Sequence, residues 1–290
     1  MSKKEIIITI SYYENGMPLG RLLKRLLPDV PKALFYKLIR KKKIKVNSIK
    51  CSYDTILKQG DELKFIYLER LFSKTISINK TINFSDDPCI LYEDMDMIIY
   101  NKPYGIPVHS GSYYKKGIIE NFPKYGLFRP SPINRIDKET SGIVVFGKSY
   151  LFTRLAKHNW KHCMKSYLAV LDNQSGIIKK GNTVIVKNNL EKNMINGYEK
   201  MIESSNGKES ILRFRVLSID KDKAFILIHL HTGRTHQIRC QFSLLGAPLI
   251  GDKKYGYKGS KKKLHLLSYR LLLAVPGFEK RIFTLLPTII

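Results

Sequence analysis

Apolar residues near the N-terminus recur with the period of an amphipathic helix. The stripe consists of Leu19, Leu22, Leu23, Leu26 and Leu27, and Pro28 should end the helix. A second helix should follow in VPKALFYKLIRKKK, with Pro31 in its first turn and Phe35, Leu38 and Ile39 on one face. The cations after Ile39 suit the C-terminal end of that helix, where the helix dipole favours positive charge.

Two strands should complete this N-terminal unit. In KIKVN, Ile44 and Val46 alternate with lysines, as in a half-buried strand. KQGDELKFIY has a turn at Gly60, followed by a strand that points Leu63, Phe65 and Tyr67 to one side. We therefore divide the chain into a small domain at residues 1–70, a Ser-, Lys- and Asn-rich linker at 71–87, and a large domain at 88–290.

The large domain is dominated by strand patterns. CILYEDMDMIIYNKP predicts two short strands around an acidic turn, and further strands are predicted in GIVVFG, KSYLAVL, TVIVK, SILRFRVL and AFILIHL. Convincing helices are predicted only near 149–160 and 235–245. Strands with few intervening helices favour an α+β fold, with a mixed, mainly antiparallel sheet and flanking helices, over a doubly wound sheet.

Charge points to the kind of partner. The chain has 51 Lys and Arg against 24 Asp and Glu, a net charge of +27, which favours a nucleic acid over an anionic membrane surface. A lysine-rich proteome is the alternative explanation, although that bias should also raise Glu. Six cations fall within nine residues on the second helix and the strand after it: Lys37, Arg40, Lys41, Lys42, Lys43 and Lys45. Such a run is either a solvated face or a surface that binds RNA phosphates.

Several other classes of protein find no support in the sequence. No apolar run approaches the roughly 20 residues of a membrane span, and the N-terminus has no leader pattern, so we expect a cytoplasmic protein without a membrane partner. The four cysteines are scattered, and His158 and His162 have no third metal ligand nearby. Phosphate-loop, dinucleotide, nucleophile-elbow and zinc-deaminase motifs are also missing from the sequence.

Three polar clusters stand among the apolar strands: NRIDKETSG, KSYLAV and HTGRTHQIR. Asp137, in the first cluster, should lie at the mouth of a core, where an arginine would hold its carboxylate ionised. Arg234 and Arg239 in the third cluster are both candidates. A structural salt bridge or a turn cap is the alternative role for an isolated loop aspartate.

Two resemblances add to these predictions. Residues 16–67, with their helix-helix-strand order, basic second helix and closing GDEL, resemble the alpha-L RNA-binding domain. The three clusters, with NKPYGIPVHSG, HTGRTHQIRCQFSLLGAPLIGDKKYG and LHLLSYRLLLAVP, resemble the RluA-type pseudouridine synthases. The resemblance implies an isomerase with the pseudouridine synthase fold, which breaks the N-glycosidic bond of a uridine in RNA and rejoins uracil through carbon 5. It implies no metal and no other cofactor.

The resemblance also implies roles for individual residues. Asp137 would be the essential aspartate, acting on the sugar as a nucleophile, on the base, or on a sugar proton. Tyr167 would stack on uracil, although a core tyrosine is the alternative, and Arg234 would pair with Asp137 or else bind phosphate. Arg135 would follow the phosphate or occupy the position that the flipped uridine leaves, and Lys165 would contact substrate.

The chain departs from the family pattern at one notable position. Asn134 stands where the family usually has His. Nearby, Ile136 stands where the family has Leu, and this change keeps an apolar side chain. Because that His is not the catalytic group, we expect activity, with Asn134 bonding locally.

The partner implied is ribosomal RNA of the large subunit, with transfer RNA open as an alternative, and we expect a monomer. The competing classes are a non-catalytic RNA-binding or ribosome-assembly protein and a glycoside hydrolase that uses Asp137 with a second carboxylate.

Overall fold

The computed structural model describes residues 5–66, 68, 71, 87–110, 116–181, 183–195 and 197–286. Tyr67 and residues 72–86 of the predicted linker lie outside these ranges. The helices with described bounds are α1 Leu19–Leu26, α2 Lys32–Arg40, α3 Tyr150–Asn159 and α4 Gln237–Leu244. The strands are β1 Glu5–Thr9, β2 Ile44–Val46, β3 Glu62–Ile66, β4 Ile90–Glu93, β5 Met97–Lys102, β6 Ser131–Pro132, β7 Ser141–Gly147, β8 Met164–Asp172, β9 Val184–Ile195, β10 Tyr198–Glu203, β11 Lys208–Asp220, β12 Lys223–Leu230, β13 Leu266–Leu273 and β14 Arg281–Thr284.

The N-terminal unit, residues 5–66, packs α1 and α2 against a small antiparallel sheet of order β1-β3-β2. The predicted leucine stripe is confirmed, because Leu19, Leu22 and Leu23 are fully buried. Pro31 is the N-cap of α2, so it fixes the backbone just before the first helical residue. The alternation predicted for the two strands is also confirmed, with Ile44 and Phe65 inward.

The second unit, residues 87–286, is built on an eleven-stranded sheet. Its order is β10-β9-β11-β12-β8-β13-β7-β5-β4, with β14 on β13 and β6 on β7. Among the described residues, β7 and β13 are the only parallel neighbours, and the other pairs are antiparallel. The prediction of a mixed, mainly antiparallel sheet is therefore confirmed.

Two helices cover this sheet and flank the site described below. From α4, Ile238 and Phe242 pack into the core formed by β8, β11 and β12. From α3, Phe152 and Ala156 pack into a second core with β7 and β13. Both helices were predicted, and α4 begins at Gln237 because His236 has left-handed backbone geometry and caps it. No helix in the described part of the chain is long and apolar enough to cross a membrane.

Candidate active site

A tight turn carries Asp137 from β6 to the buried strand β7. The turn is closed by the Thr140 amide, which donates to the Asp137 carbonyl at 3.0 Å. Gly142 follows with φ of +111°, and a side chain there would meet the Ser268 carbonyl oxygen at 2.3 Å. Glycine is needed because β13 approaches so closely at the point where it runs parallel to β7.

Asn134 fixes the start of this turn. Its Oδ1 accepts the Val145 amide at 2.8 Å, and the neighbouring Ile133 amide donates to the Val145 carbonyl at 2.8 Å. The expectation that Asn134 bonds locally is confirmed. The amide side chain therefore ties the segment before Asp137 to the middle of β7.

Lys102 is fully buried and stabilises the same turn through hydrogen bonds. Its ammonium donates to the carbonyls of Pro103, Ile106 and Lys138 at 2.8, 2.8 and 3.0 Å. Burial lowers the pKa of Lys102 to about 8, and the nearby carboxylates of Glu139 and Asp137 oppose that shift. At neutral pH it is therefore a cation with a carbonyl for each of its three protons.

Replacing Lys102 by methionine is expected to lower the free energy of unfolding by about 2–4 kcal/mol, because three inward-facing carbonyls lose their donor. Urea unfolding would measure it. The matched variant Lys180→Met, at an exposed site, should change stability by no more than about 0.5 kcal/mol. Equal stability of the two variants would contradict the role assigned to Lys102.

The arginine beside Asp137 is Arg239, near the start of α4. Its guanidinium is buried and forms two bonds to Asp252, Nε to Oδ2 at 2.7 Å and Nη2 to Oδ1 at 2.8 Å. The remaining nitrogen, Nη1, lies 3.3 Å from Oδ2 of Asp137 and 3.5 Å from Oε2 of Glu139. Asp252 thus orients a charge-assisted bond to Asp137.

The implied pair between Arg234 and Asp137 is not formed, and this corrects the expectation. Arg234 is exposed, and its Nε donates to the Glu209 carbonyl at 3.1 Å. Arg234 precedes α4 and lies at the pocket rim, whereas Arg239 faces inward from the helix itself. Of the two arginines that the sequence offered, helix geometry selects the second. Arg234 still lines the pocket.

His236 completes the surroundings of Asp137. Its backbone has φ of +48°, a region that non-glycine residues rarely occupy, and its Nε2 lies 3.8 Å from Oδ2 of Asp137. Its Nδ1 lies 2.9 Å from the Tyr255 hydroxyl, which also accepts the Met201 amide. Burial lowers the pKa of His236. The imidazole is therefore neutral at physiological pH, and its Nε2 faces Asp137.

The opposite wall comes from β8 and the turn after α3. Tyr167 is 8% exposed and belongs to the core of the sheet, yet its side chain also lines the pocket. Lys165 sits over the Trp160 ring at 5.9 Å, and its ammonium donates to the Trp160 carbonyl at 3.4 Å. Both predicted residues, Tyr167 and Lys165, therefore lie at the pocket that contains Asp137.

Arg135 lies on the pocket rim with an exposed side chain. Its Nη1 is 2.8 Å from Nε2 of His109, whose Nδ1 bonds the Ser110 carbonyl at 2.8 Å. Because Nδ1 donates to that carbonyl, Nε2 is the acceptor for Arg135. The guanidinium is therefore held at the entrance of the pocket.

These elements enclose an open pocket of about 610 Å³. Asp137 is the single carboxylate among the described residues that line it. Six cationic side chains line it as well: Arg135, Lys138, Lys161, Lys165, Arg234 and Arg239. The size suits a nucleoside, since small-molecule sites occupy roughly 300–1,000 Å³. The cations of this pocket can bind an anionic chain, and its single acid can react with that chain at one point.

The basic run of the N-terminal unit lies away from this pocket. Lys37 and Arg40 are exposed on α2, Lys41 and Lys42 continue from its C-terminus, and Lys43 and Lys45 reach β2. The six cations of this run therefore follow one continuous helix-to-strand path, whereas the other two predicted RNA-binding residues, Arg135 and Lys165, line the pocket. The described residues contain no group of three or more His, Cys, Asp or Glu that could hold a metal ion.

Sequence reasoning missed several residues of the pocket and its supports: Lys102, His109, Trp160, His236 and Asp252. NKPYGIPVHSG and GAPLIGDKKYG contain three of them, so the motifs marked the right segments without identifying the side chains. His236 lies within HTGRTHQIR, so its segment was marked in the same way.

Comparison with known proteins shows the family of the chain. The profile of the RNA pseudouridylate synthase family matches residues 96–244. Ribosomal large subunit pseudouridine synthase C of Haemophilus influenzae is 31% identical over 276 residues, which cover 92% of this chain and 84% of that protein. The protein of the same name from Vibrio parahaemolyticus is 32% identical over 253 residues, which cover 83% of this chain and 77% of that protein.

Solved structures share the fold. Human RNA pseudouridylate synthase domain containing 1 aligns with a TM-score of 0.58 at 20% identity, over 72% of this chain and 86% of that one. Human RNA pseudouridylate synthase domain containing 4 aligns with a TM-score of 0.55 at 22% identity, over 69% of this chain and 88% of that one.

Proposed function

The chain belongs to the RluA-type family of RNA pseudouridylate synthases, and we propose that it isomerises specific uridines of large-subunit ribosomal RNA, as a cytoplasmic monomer. The ribosomal substrate is supported by the names of its relatives, which are called ribosomal large subunit pseudouridine synthase C. The observation that carries the proposed chemistry is the single carboxylate, Asp137, in a pocket whose described lining includes six cations.

Asp137 is proposed as the catalytic residue. Its carboxylate is 24% exposed, so one side contacts Arg239 while the other remains open to a substrate. Isomerisation requires a group that traps or stabilises an electron-poor sugar while uracil leaves as an anion, and a single carboxylate can do this. A glycoside hydrolase with paired carboxylates is disfavoured, because Glu139 does not line the pocket.

The other side chains divide the remaining work. Arg239 and the neutral His236 aim Asp137 at the sugar, and Asp252 holds Arg239 in place. The cations around the pocket stabilise the anionic uracil between bond cleavage and the formation of the new bond at carbon 5. Loss of the proton from carbon 5 and protonation of the released ring nitrogen complete the isomerisation, so no atoms are gained or lost overall. Arg234 contributes as one of these cations rather than as the partner of Asp137.

Access to a uridine in structured RNA requires that the base leave its stack. The unstacking costs a few kcal/mol, which contacts in the pocket must offset. Arg135, which His109 holds at the rim, is proposed to occupy the vacated position or to follow the backbone. Lys165 lies deeper, beside Trp160, and is proposed to contact the substrate there.

Tyr167 is proposed to pack its ring on the uracil. Burial raises the pKa of Tyr167 to about 12, with a further contribution from Asp137, so the phenol stays neutral at physiological pH. A role as a proton acceptor is therefore disfavoured.

The variant Tyr167→Phe is expected to keep kcat/KM within about tenfold of the native value, with the same pH profile up to about pH 10, because stacking needs only the ring. The variant Tyr167→Leu removes the aromatic face. It should therefore lose about 1–3 kcal/mol of stacking free energy, which lowers kcat/KM by roughly 5- to 150-fold. Single-turnover kinetics of both variants would measure these losses. If phenylalanine were as damaging as leucine, the hydroxyl and not the ring would be the functional group.

The N-terminal unit is proposed as an alpha-L RNA-binding domain spanning residues 1–70, joined by a linker at 71–87 to a catalytic domain at 88–290. Its support is the helix-helix-sheet order and the six cations from Lys37 to Lys45, which lie on α2, on β2 and on the turn between them. Phosphate contacts from such a surface would position the protein on RNA without reading its sequence.

The substrate is tested with unmodified transcripts of large-subunit ribosomal RNA and of transfer RNA. After incubation with the protein, pseudouridines are mapped by reverse-transcription stops that depend on carbodiimide. We expect new stops in the ribosomal transcript, at one or a few uridines. Stops confined to transfer RNA would overturn the ribosomal assignment and leave the isomerase chemistry intact.

A further inference from the structure

A second cleft, of about 230 Å³, lies where the N-terminal unit meets the second unit. Its lining includes five cations that have no acidic partner in the described part of the chain: Arg21, Arg25, Arg129, Arg154 and Lys157. Two come from α1, two from α3 and one from the segment before β6. A sixth cation in the cleft, Lys148, is already paired with Glu93 at 2.7 Å.

The two walls of the cleft are held together by specific contacts. The Tyr12 hydroxyl donates to Asp96 at 3.0 Å, and the Leu127 amide donates to Glu14 at 2.7 Å. Tyr150, the first residue of α3, packs into the core of the N-terminal unit. These contacts fix the spacing between the cations that the two units contribute.

The charges of the five cations are not balanced by nearby acids. None of the five has a carboxylate oxygen within 4.0 Å in the described part of the chain. Glu14 is the one acid of the described cleft lining, and its carboxylate is already bonded to Ser11 and Leu127. The cleft therefore carries a concentrated positive charge.

Two of these arginines lie against aromatic rings. The Arg21 guanidinium lies 5.4 Å from the centre of the Tyr150 ring, and that of Arg25 lies 3.7 Å from the centre of the Phe128 ring. A guanidinium packed against a ring can still donate N–H groups to phosphate oxygens. Burial, and then the neighbouring Arg21, lower the pKa of Arg25, while the charge of Glu14 opposes the shift; an anion here would reduce the repulsion between the two arginines.

Helix α3 connects the cleft to the candidate active site. Arg154 and Lys157 line the cleft, whereas Trp160 and Lys161 line the pocket. At about 1.5 Å of rise per residue, Arg154 lies about 9 Å along the helix axis from Trp160. An RNA strand leaving the pocket along α3 would meet the cleft at once.

We propose that this cleft binds a backbone phosphate of the substrate RNA outside the pocket, so that both units grip the same strand. The proposal rests on the proposed function as an RNA-modifying enzyme. In this proposal the contact between the two units binds the RNA strand at a point that belongs neither to the basic run from Lys37 to Lys45 nor to the pocket. A free inorganic anion shares the same chemistry and is distinguished by the experiment.

The test compares three variants of the full-length protein in binding to a large-subunit ribosomal RNA transcript at several salt concentrations. The first, Arg21→Gln/Arg25→Gln/Arg154→Gln, removes three cleft charges. The second, Lys179→Gln/Lys180→Gln/Lys223→Gln, removes three exposed charges at the far end of β8 and β12. The third, Arg21→Lys/Arg25→Lys, keeps the charge and removes the guanidinium planes.

We expect the cleft variant to bind RNA more weakly, and the slope of log affinity against log salt concentration to fall by about 1 for each phosphate that the cleft no longer binds. The distal variant should keep the native slope. The lysine variant should also keep most of the native slope. That result would exclude a loosened interface between the units as the cause of the weaker binding by the cleft variant. Matching slopes for the cleft and distal variants would overturn the proposal.

Two further readouts separate the ways in which the proposals can fail. If inorganic phosphate raises the melting temperature of the native protein but not of the cleft variant, while the RNA slopes agree, the cleft is a small-anion site and the proposal is wrong. Pseudouridine mapping on the same transcript tests the proposed function by itself. Native protein that makes no pseudouridine while the cleft variant binds weakly would reject the catalytic assignment and retain the cleft.

Discussion

Replacing Asp137 by asparagine is expected to lower the rate of pseudouridine formation by about four orders of magnitude or more, as when the reacting group of an enzyme is removed. The amide has the same shape but can act neither as a nucleophile nor as a base. RNA affinity should stay within about threefold, because phosphate contacts supply most of the binding. Single-turnover rates and a binding titration on the same ribosomal transcript would measure both quantities.

Glu139→Gln is the matched control, because it makes the same chemical change two residues away. Glu139 shares Arg239 with Asp137, but it is 42% exposed and does not line the pocket. We expect its turnover to stay within about tenfold of the native value, since its carboxylate does not face the substrate. If Asp137→Asn retained turnover while Glu139→Gln lost it, the two carboxylates would have exchanged roles.

The second large effect is expected for Arg239→Met, which should lower the free energy of unfolding by about 3–5 kcal/mol. Asp252 is fully buried and would lose both bonds to the guanidinium, leaving a buried charge without that partner. Turnover should also fall sharply, because Asp137 loses the cation that orients it. Arg234→Met provides the control within the same motif, and its stability should change by no more than about 0.5 kcal/mol, since Arg234 is exposed.

A second substitution separates stability from catalysis at this pair. In Arg239→Met/Asp252→Asn the buried charge is gone, so about 1–3 kcal/mol of stability should return. Turnover should not return, because the double variant still lacks the guanidinium beside Asp137. Recovery of both quantities together would mean that Arg239 serves only the fold.

The periodic parts of the fold were predictable from sequence. The stripe from Leu19 to Leu27 specifies α1, and the alternation around Ile44 and Phe65 specifies the strands that α1 and α2 cover. Strand β10 was not predicted and β9 is longer than TVIVK, because the outward-facing side chains of these strands, the outermost and its neighbour, are partly apolar. Exposed Ile185, Met194 and Tyr198 remove the alternation on which the prediction depends.

The site was predictable as a set of segments and less so as a set of contacts. Asp137, Tyr167 and Lys165 were placed by their motifs, and the structure brings all three to one pocket. The choice between Arg234 and Arg239 depended on where α4 begins, and that start is set by the left-handed backbone of His236. Local sequence carries almost no signal for that geometry.

Lys102 shows a different limit. It lies at the end of an apolar strand, where the sequence does not indicate whether a lysine side chain points inward or outward. Its burial depends on three carbonyls, and one of them belongs to a turn that is distant in sequence. The cleft between the two units is similarly invisible in sequence, because its cations lie on α1, on α3 and at Arg129. Such features arise only when the chain has folded.

The most direct test of the central claim is the release of tritium from carbon 5 of uridine in a large-subunit ribosomal RNA transcript. Pseudouridine formation replaces that hydrogen with the sugar, so each isomerised uridine releases its label. We predict stoichiometric release by the native protein and no release by Asp137→Asn, with both proteins bound to the RNA. Tight binding by the native protein without any release of tritium would contradict the assignment of Asp137 as the catalytic residue of a pseudouridine synthase.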